Sequence, residues 1–410
     1  MKKIYLEFFR GISSVFILFW HIVFLAPIGH VTKFTGYWGT DALMMFYMLS
    51  GLVINLTEST KPKPAKAFLR NRFIRIYPQF LVGMLLAFLA LLITNTAFPS
   101  LKLITGNFLM LSTMKDYMGY IVPCIQSNLP VWSLSFEMAF YVLFAFTIGR
   151  NQKKAIFYWF IMSLIALGLY YIKADKDVLT HIISVFAFSS IWLLGYYIYE
   201  YRDYFYADKY VALFGLGVMP LISRMHFIDN FYDPCKYFFL ALFAIPFFRY
   251  CLQLPPAGRQ IKLIYLVIPH SVLVFAAVTI RYMPLTNALA YSTLPYVYMG
   301  IAYLVNILQI KNQVVNFVTK VGTVLGKYSY SLYITHFTVL FVFSRLTHNL
   351  FIFIVAPLPI IAFIAYSLEK WFQPAVLNYF KRKKQDTVAP KKYLFHWPAT
   401  HATQHPPEHA

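Results

Sequence analysis

Long apolar runs broken by short polar or basic connections recur along the chain. Runs of near-spanning length cover approximately 8–26, 40–57, 79–98, 131–149, 155–172, 180–199, 210–223, 235–250, 261–280, 286–308, 328–346 and 349–372. Crossing a bilayer takes roughly 20 helical residues, and several runs are shorter, so the pattern predicts an all-α, polytopic membrane helix bundle of about 10–12 transmembrane helices. Residues 1–375 read as one membrane domain, and 376–410 as a basic, disordered cytoplasmic tail. The longest outer connection, 99–130, carries Pro99, Gly106, Gly119 and Pro123, which argue against one continuous helix and for a lid or re-entrant piece. No internal repeat points to a transporter of two matched halves.

Composition agrees with this class. The chain is 60% hydrophobic, 12% charged and 20% aromatic, with a mean hydropathy of +0.60. So few charges do not cover the surface of a soluble 410-residue protein. The formal charge of +21 resembles a nucleic-acid footprint until it is placed on the chain. With the N-terminus inside, 27 of the 36 Lys and Arg residues fall on the cytoplasmic side and 9 outside. Both termini are then cytoplasmic, and the basic surplus faces anionic inner-leaflet lipid, not nucleic acid. The first segment lacks a small-residue cleavage site and reads as a retained helix. Cys124, Cys235 and Cys251 have no metal spacing and read as unpaired. The tail histidines (His396, His401, His405, His409) show no ligand geometry, so no metal is expected; oligomeric state is not encoded legibly.

Candidate chemistry lies within the apolar runs. Arg10 and His21 are eleven residues apart, which returns a helix to within about 20° of its start and separates them by about 16 Å along one face. Ionisable groups at such depths are costly in hydrocarbon and read as functional. RNRFIRIYP at 70–78 sets Arg72 and Arg75 on one face with Arg70 flanking. That is a bidentate phosphate site or a snorkelling anchor, with Pro78 closing the cluster before the third span. Glu137 is the single acid in VWSLSFEMAFYVLF, among Trp132, Ser133, Ser135 and Tyr141; it serves a wet cavity or pairs with Arg10. Ser329, Tyr333 and His336 share a face of a later run, as pocket groups or as interhelical hydrogen-bonders. Ser50 and Gly51 end FYMLSG as small residues that permit close packing.

Taken in order, these segments resemble the acyltransferase 3 family of integral-membrane acyltransferases, from about residue 5 to 372. The pieces that carry the likeness are Arg10 and His21, FYMLSG at 46–51, Arg72 and Arg75, WSLSFEMAFY at 132–141 and YSYSLYITH at 328–336. The resemblance implies a cytoplasmic acyl-CoA donor, most commonly acetyl-CoA, a site within the bacterial cytoplasmic membrane, and an acceptor hydroxyl on a cell-envelope glycan or lipid-linked sugar. It implies that His21 is the essential histidine, with Glu137 and Arg10 beside it in catalysis and Arg70, Arg72 and Arg75 around the coenzyme. Ser50, Trp132, Ser133, Tyr141, Ser329, Tyr333 and His336 would line the pocket. On this reading Glu137 orients His21 or takes up its charge, and His21 either deprotonates the acceptor or carries the acyl group itself. The chain departs from the family in two respects. Asp41 stands ten residues before Gly51, a few more than the family's spacing, and no secreted hydrolase-like domain follows the last span. The competing class is a transporter or flippase for a lipid-linked sugar or an anion, which calls for the same buried His, Glu and Arg. A sensor or scaffold with a degenerate site is disfavoured because every motif position is filled.

Overall fold

A computed structural model describes residues 4–26, 38–114, 121–149, 151–172, 177–225, 232–252, 254–280 and 283–388. The protein is an all-helical, multi-pass membrane bundle. Eight described helical segments are long and apolar enough to cross a bilayer. They are α1 (Ile4–Leu25), α2 (Trp38–Thr60), α3 (Ala65–Ile93), a 3-10 turn Gln126–Val131 running into α5 (Trp132–Thr147), α6 (Gln152–Ile172), α7 (Val178–Glu200), α11 (Leu285–Ile307) and the stretch from Leu350 onward. The short α4 (Leu101–Phe108) lies in the 99–130 connection, and α8 (Lys209–Arg224), α9 (Pro234–Cys251), α10 (Ile264–Thr279) and the long α12 (Lys311–Leu346) supply the other apolar runs. The chain closes with α13 (Leu350–Val355), α14 (Pro357–Ser367), a π-helical turn Leu368–Phe372 and α15 (Gln373–Val388). Two-residue parallel ladders, β1 (Ser112–Thr113) with β2 (Val122–Pro123) and β3 (Phe205–Tyr206) with β4 (Arg259–Gln260), tie neighbouring connections together.

Two close helix contacts set the frame. Helices α1 and α12 run parallel, and Gly11, Gly322 and Gly326 remove the side chains that would hold them apart. A Cβ on Gly326 would stand 2.6 Å from the Glu7 carbonyl oxygen. Gly51 performs the same service between α2 and α7, where a Cβ would lie 1.9 Å from the Trp192 carbonyl oxygen. Small residues at interfaces are the expected device in lipid, where burial of apolar area drives helices together only weakly.

Two sequence expectations change, and a third resolves into one of its alternatives. Pro78 does not close the basic cluster: α3 continues through it from Ala65 to Ile93, so Arg70, Arg72 and Arg75 sit on the first turns of the spanning helix itself. A proline inside a helix leaves the carbonyl four residues earlier without its donor. That carbonyl belongs to Ile74, and the Gln373 side chain donates to it at 3.3 Å. The cost of the proline is thus met by a residue 299 positions from Ile74. The tail does not lose its structure at 376, since α15 carries helix to Val388; the four tail histidines lie outside the described residues. Of the two readings offered for the 99–130 connection, lid or re-entrant piece, its C-terminal end takes the second. Ser127 and Asn128 are buried there, donating to the carbonyls of Ala87 on α3 (2.8 Å) and Ile334 on α12 (3.1 Å), so the 3-10 turn re-enters the bundle. Cys124, Cys235 and Cys251 are free thiols.

Candidate active site

A column of polar side chains runs through the contact of α1, α2, α3, α5 and α12, and its floor is cationic. Arg10 donates through Nε (3.1 Å) and through a guanidinium nitrogen to the Gly326 carbonyl of α12. It feels the like charge of Arg75 and the opposite charges of Glu7 and Glu369. Arg72 lies 5.5 Å from the ring centres of both Phe68 and Tyr141, which holds it against the bundle beside the column. Arg75 and Arg70 are exposed. The sequence expectation that Arg10 and His21 share a face is realised in that both turn toward α12.

One layer further in, Trp192 donates from Nε1 to Ser50 Oγ (3.3 Å), Ser50 lies 3.0 Å from the Tyr141 hydroxyl, and Tyr141 donates to the Glu137 carboxylate. A phenol has one proton, so once Tyr141 gives it to Glu137 the Ser50 hydroxyl must donate to Tyr141. All three donors point the same way and end on the carboxylate. Tyr141 and Glu137 are one helical turn apart on α5, the spacing the sequence offered. The next layer begins one further turn back along α5, at Ser133, about 6 Å from Glu137 along the axis. There Ser133 meets the Tyr333 hydroxyl at 2.5 Å, Tyr333 donates to the Pro130 carbonyl (2.6 Å), and Tyr47 donates to the Ser133 carbonyl (3.0 Å).

The column ends on two imidazoles. His21 and His336 are buried, with ring centres 4.9 Å apart. His21 Nδ1 lies 2.9 Å from the Ile17 carbonyl and 3.0 Å from His336 Nε2, while His336 Nδ1 lies 3.0 Å from the Leu332 carbonyl. Each carbonyl requires a proton on the Nδ1 that faces it; otherwise two lone pairs would meet. His336 Nε2 is then an acceptor, and His21 Nδ1–H is shared between the Ile17 carbonyl and that acceptor. The remaining lone pair is His21 Nε2. No described residue hydrogen-bonds to it, and His21 lines a small cavity of about 20 Å³, room for a water or so. Trp20, Trp132, Tyr232 and Tyr333 form aromatic walls around this cavity, with Thr40 at its edge. The arrangement is a neutral imidazole with its basic nitrogen free and its other nitrogen held by a second imidazole.

Two sequence assignments are corrected. Glu137 does not orient His21. It belongs to the Tyr141–Ser50 layer, and the group on the imidazole is His336, brought there by the parallel α1–α12 contact. Nor does Glu137 pair with Arg10, whose guanidinium is taken up by the Gly326 carbonyl. Ser329, expected as a pocket group, donates to that same carbonyl at 2.9 Å and stiffens the Arg10 anchor from its own helix. Trp132, Ser133, Tyr141, Ser50, Tyr333 and His336 all line the column or its cavity.

Other groups were not singled out from the sequence. Tyr47 is one of them; Tyr330, which donates to the Ile76 carbonyl (2.9 Å), is another. Behind the column Gln79 donates to Gln373 (3.2 Å) and Glu369 (3.3 Å), with Ser331 2.9 Å from the Gln79 carbonyl oxygen. Asp41, named in the sequence only for its spacing from Gly51, follows Thr40 of the His21 cavity, accepts from Ser223 and faces the charges of Lys236 and Arg224. The sequence carries a signal for this last group only in the rarity of charge within apolar runs.

Comparison with known proteins gives three findings. The family model of the acyltransferase 3 type, described as an acyltransferase domain, matches residues 3–368. Acyltransferase MdmB of Streptomyces mycarofaciens is 33% identical over 109 residues, 26% of this chain and 27% of that protein, so little more than a quarter of that relative's length is matched. No solved structure matches the chain.

Proposed function

The chain belongs to the acyltransferase 3 family, and from that premise we propose that it is a membrane O-acyltransferase. It would move an acyl group, acetyl in the simplest case, from cytoplasmic acyl-CoA to a hydroxyl of a cell-envelope glycan or lipid-linked sugar at the bacterial cytoplasmic membrane. In this reading both termini are cytoplasmic, as the Lys and Arg distribution implies. The observation that carries the proposal is the free Nε2 of His21, backed by His336, at the end of a polar column with Arg10, Arg72 and Arg75 at its other end.

In the proposed mechanism Arg72 and Arg75 hold the phosphates of the coenzyme through charge-assisted hydrogen bonds, with the exposed Arg70 assisting. The thioester arm extends along the column of Ser50, Tyr141, Ser133 and Tyr333 to the imidazoles. His21 Nε2 accepts the acceptor's hydroxyl proton as the oxygen attacks the thioester carbonyl; the C–S bond breaks and the thiolate leaves with a proton returned from His21. While His21 is protonated, its Nδ1–H strengthens its bond to His336 Nε2, so His336 shares the charge. Glu137 and Arg10 act as positioning charges on the donor side. A transporter needs the same buried charges, but membership of an acyltransferase family and the lack of matched halves weigh against one.

The test is thiol release from acetyl-CoA by the purified protein, with and without an extract of total envelope glycan. Release that depends on the extract, and that is lost in His21→Ala with the protein still folded, is the expected result. Full activity of His21→Ala, or no thiol release under any condition, overturns the proposal.

A further inference from the structure

We propose that the cavity between the C-terminal ends of α1 and α12 binds an anionic amphiphile, a phosphate carried on an apolar chain, with Arg345 as its phosphate ligand. The cavity has a volume of about 240 Å³. Its body is apolar, made by Phe24 and Leu25 of α1, Leu129 of the 3-10 turn, and Phe337 and Phe341 of α12. Its polar lining residues are Arg345, Gln126 and Ser344. An apolar body lined also by a cation and the Gln126 amide complements a molecule with an apolar chain and an anionic head; the Ser344 hydroxyl already donates to the Phe341 carbonyl at 2.8 Å.

The charge in this lining is available. Arg345 is exposed, pairs with no carboxylate among the described residues, and rests 5.5 Å from the centre of the Phe341 ring. Its guanidinium therefore has its hydrogen-bonding edge open for phosphate, which it fits in bidentate fashion. The cavity also adjoins the imidazole site. Phe337 lines it and sets its ring edge-to-face against His21 with centres 5.1 Å apart. Leu25 and His21 are one turn apart on α1, and Arg345 is nine residues beyond His336 on α12, roughly 14 Å along the axis. A phosphate at Arg345 thus leaves a gap to His21 that a short sugar unit can bridge. The cavity lies at the opposite end of the column from Arg10, Arg72 and Arg75, so the two phosphate sites would not compete. Its assignment as the acceptor's carrier site rests on the acyltransferase reading; the binding chemistry does not.

The experiment measures binding, not turnover. Protein in phosphatidylcholine nanodiscs is titrated with farnesyl phosphate, farnesol and inorganic phosphate, with Arg345→Ala and Arg345→Lys run in parallel. Wild type should bind farnesyl phosphate at least tenfold more tightly than farnesol, and inorganic phosphate should not displace it. Arg345→Ala should lose roughly ten- to a hundredfold in farnesyl phosphate affinity and none for farnesol, with Arg345→Lys in between. Equal affinity for the two farnesyl compounds, or an Arg345→Ala variant that binds like wild type, overturns the proposal. So does inorganic phosphate that binds as tightly as farnesyl phosphate. Because no acyl transfer is read, these outcomes are separate from failure of the thiol-release test.

Discussion

His336 is the residue whose replacement discriminates best among mechanisms. Its Nε2 accepts from His21 Nδ1–H at 3.0 Å, and the bond becomes charge-assisted only while His21 Nε2 holds the acceptor's proton. Replacing His336 with Phe removes the acceptor but keeps a ring in a position that is 0% exposed. The Ile17 carbonyl still holds the His21 tautomer, so the ground state changes little. The difference between a neutral and a charge-assisted hydrogen bond is about 1–2 kcal/mol. At about 1.4 kcal/mol per tenfold, kcat should fall by roughly five- to thirtyfold. KM for acetyl-CoA should stay within about twofold of wild type, because the donor arginines are untouched. His336→Gln, whose amide oxygen reaches the position of Nε2, should recover much of the loss. The assay is steady-state thiol release for wild type, His336→Phe, His336→Gln and His21→Ala, with the melting temperature of each in nanodiscs. A His336→Phe loss as deep as that of His21→Ala would make His336 a base in its own right. No loss at all, or an equal loss in the Gln variant at unchanged melting temperature, would refute the charge-sharing argument.

Other expectations follow from the same geometry. Arg72→Ala and Arg75→Ala should each raise KM for acetyl-CoA by about tenfold or more with kcat little changed, as the loss of one charge-assisted phosphate contact requires; steady-state kinetics at varied donor check this. Gln373→Ala strips the Ile74 carbonyl of the donor that replaces the one Pro78 lacks, and should cost about 1–3 kcal/mol. Adding Pro78→Ala should restore most of that, and a thermal-unfolding series in nanodiscs that shows no coupling between the two would sink the explanation. Gly326→Leu should force α1 from α12 and separate His21 from His336, lowering both melting temperature and kcat, with a cost of about 1–3 kcal/mol. Gly168→Leu, where a Cβ meets nothing within 4 Å, is the matched control and should be neutral.

Much of the bundle was legible because period and length are local properties. The eleven-residue spacing of Arg10 and His21 and the one-turn spacing of Glu137 and Tyr141 are settled within one helix, and the structure keeps both. What the chain hides are meetings between distant helices. His336 reaches His21 across 315 residues, and nothing around either residue announces the other. Without that contact Glu137 looked like the natural partner of the imidazole. Pro78 misled for the same reason. Its local meaning is a helix end, but Gln373, 299 residues after Ile74, supplies the donor that lets α3 continue. Ser329 erred in the opposite direction, since its hydroxyl is spent on the Gly326 carbonyl three residues back and never reaches the pocket. Asp41, set aside because its spacing is too long, finds Ser223 at the far end of α8, a pairing no spacing rule contains.

The central claim is that the polar column carries an acyl group from a donor on the arginine side to an acceptor on the other, with His21 as the base. Vesicles with the protein in one orientation, radiolabelled acetyl-CoA on the Arg72 side only and envelope glycan on the opposite side only, test it most directly. The account predicts label on the glycan, dependent on His21 and absent when the donor is moved to the glycan's side. Label transferred equally well from either side, or transferred by His21→Ala, would contradict it.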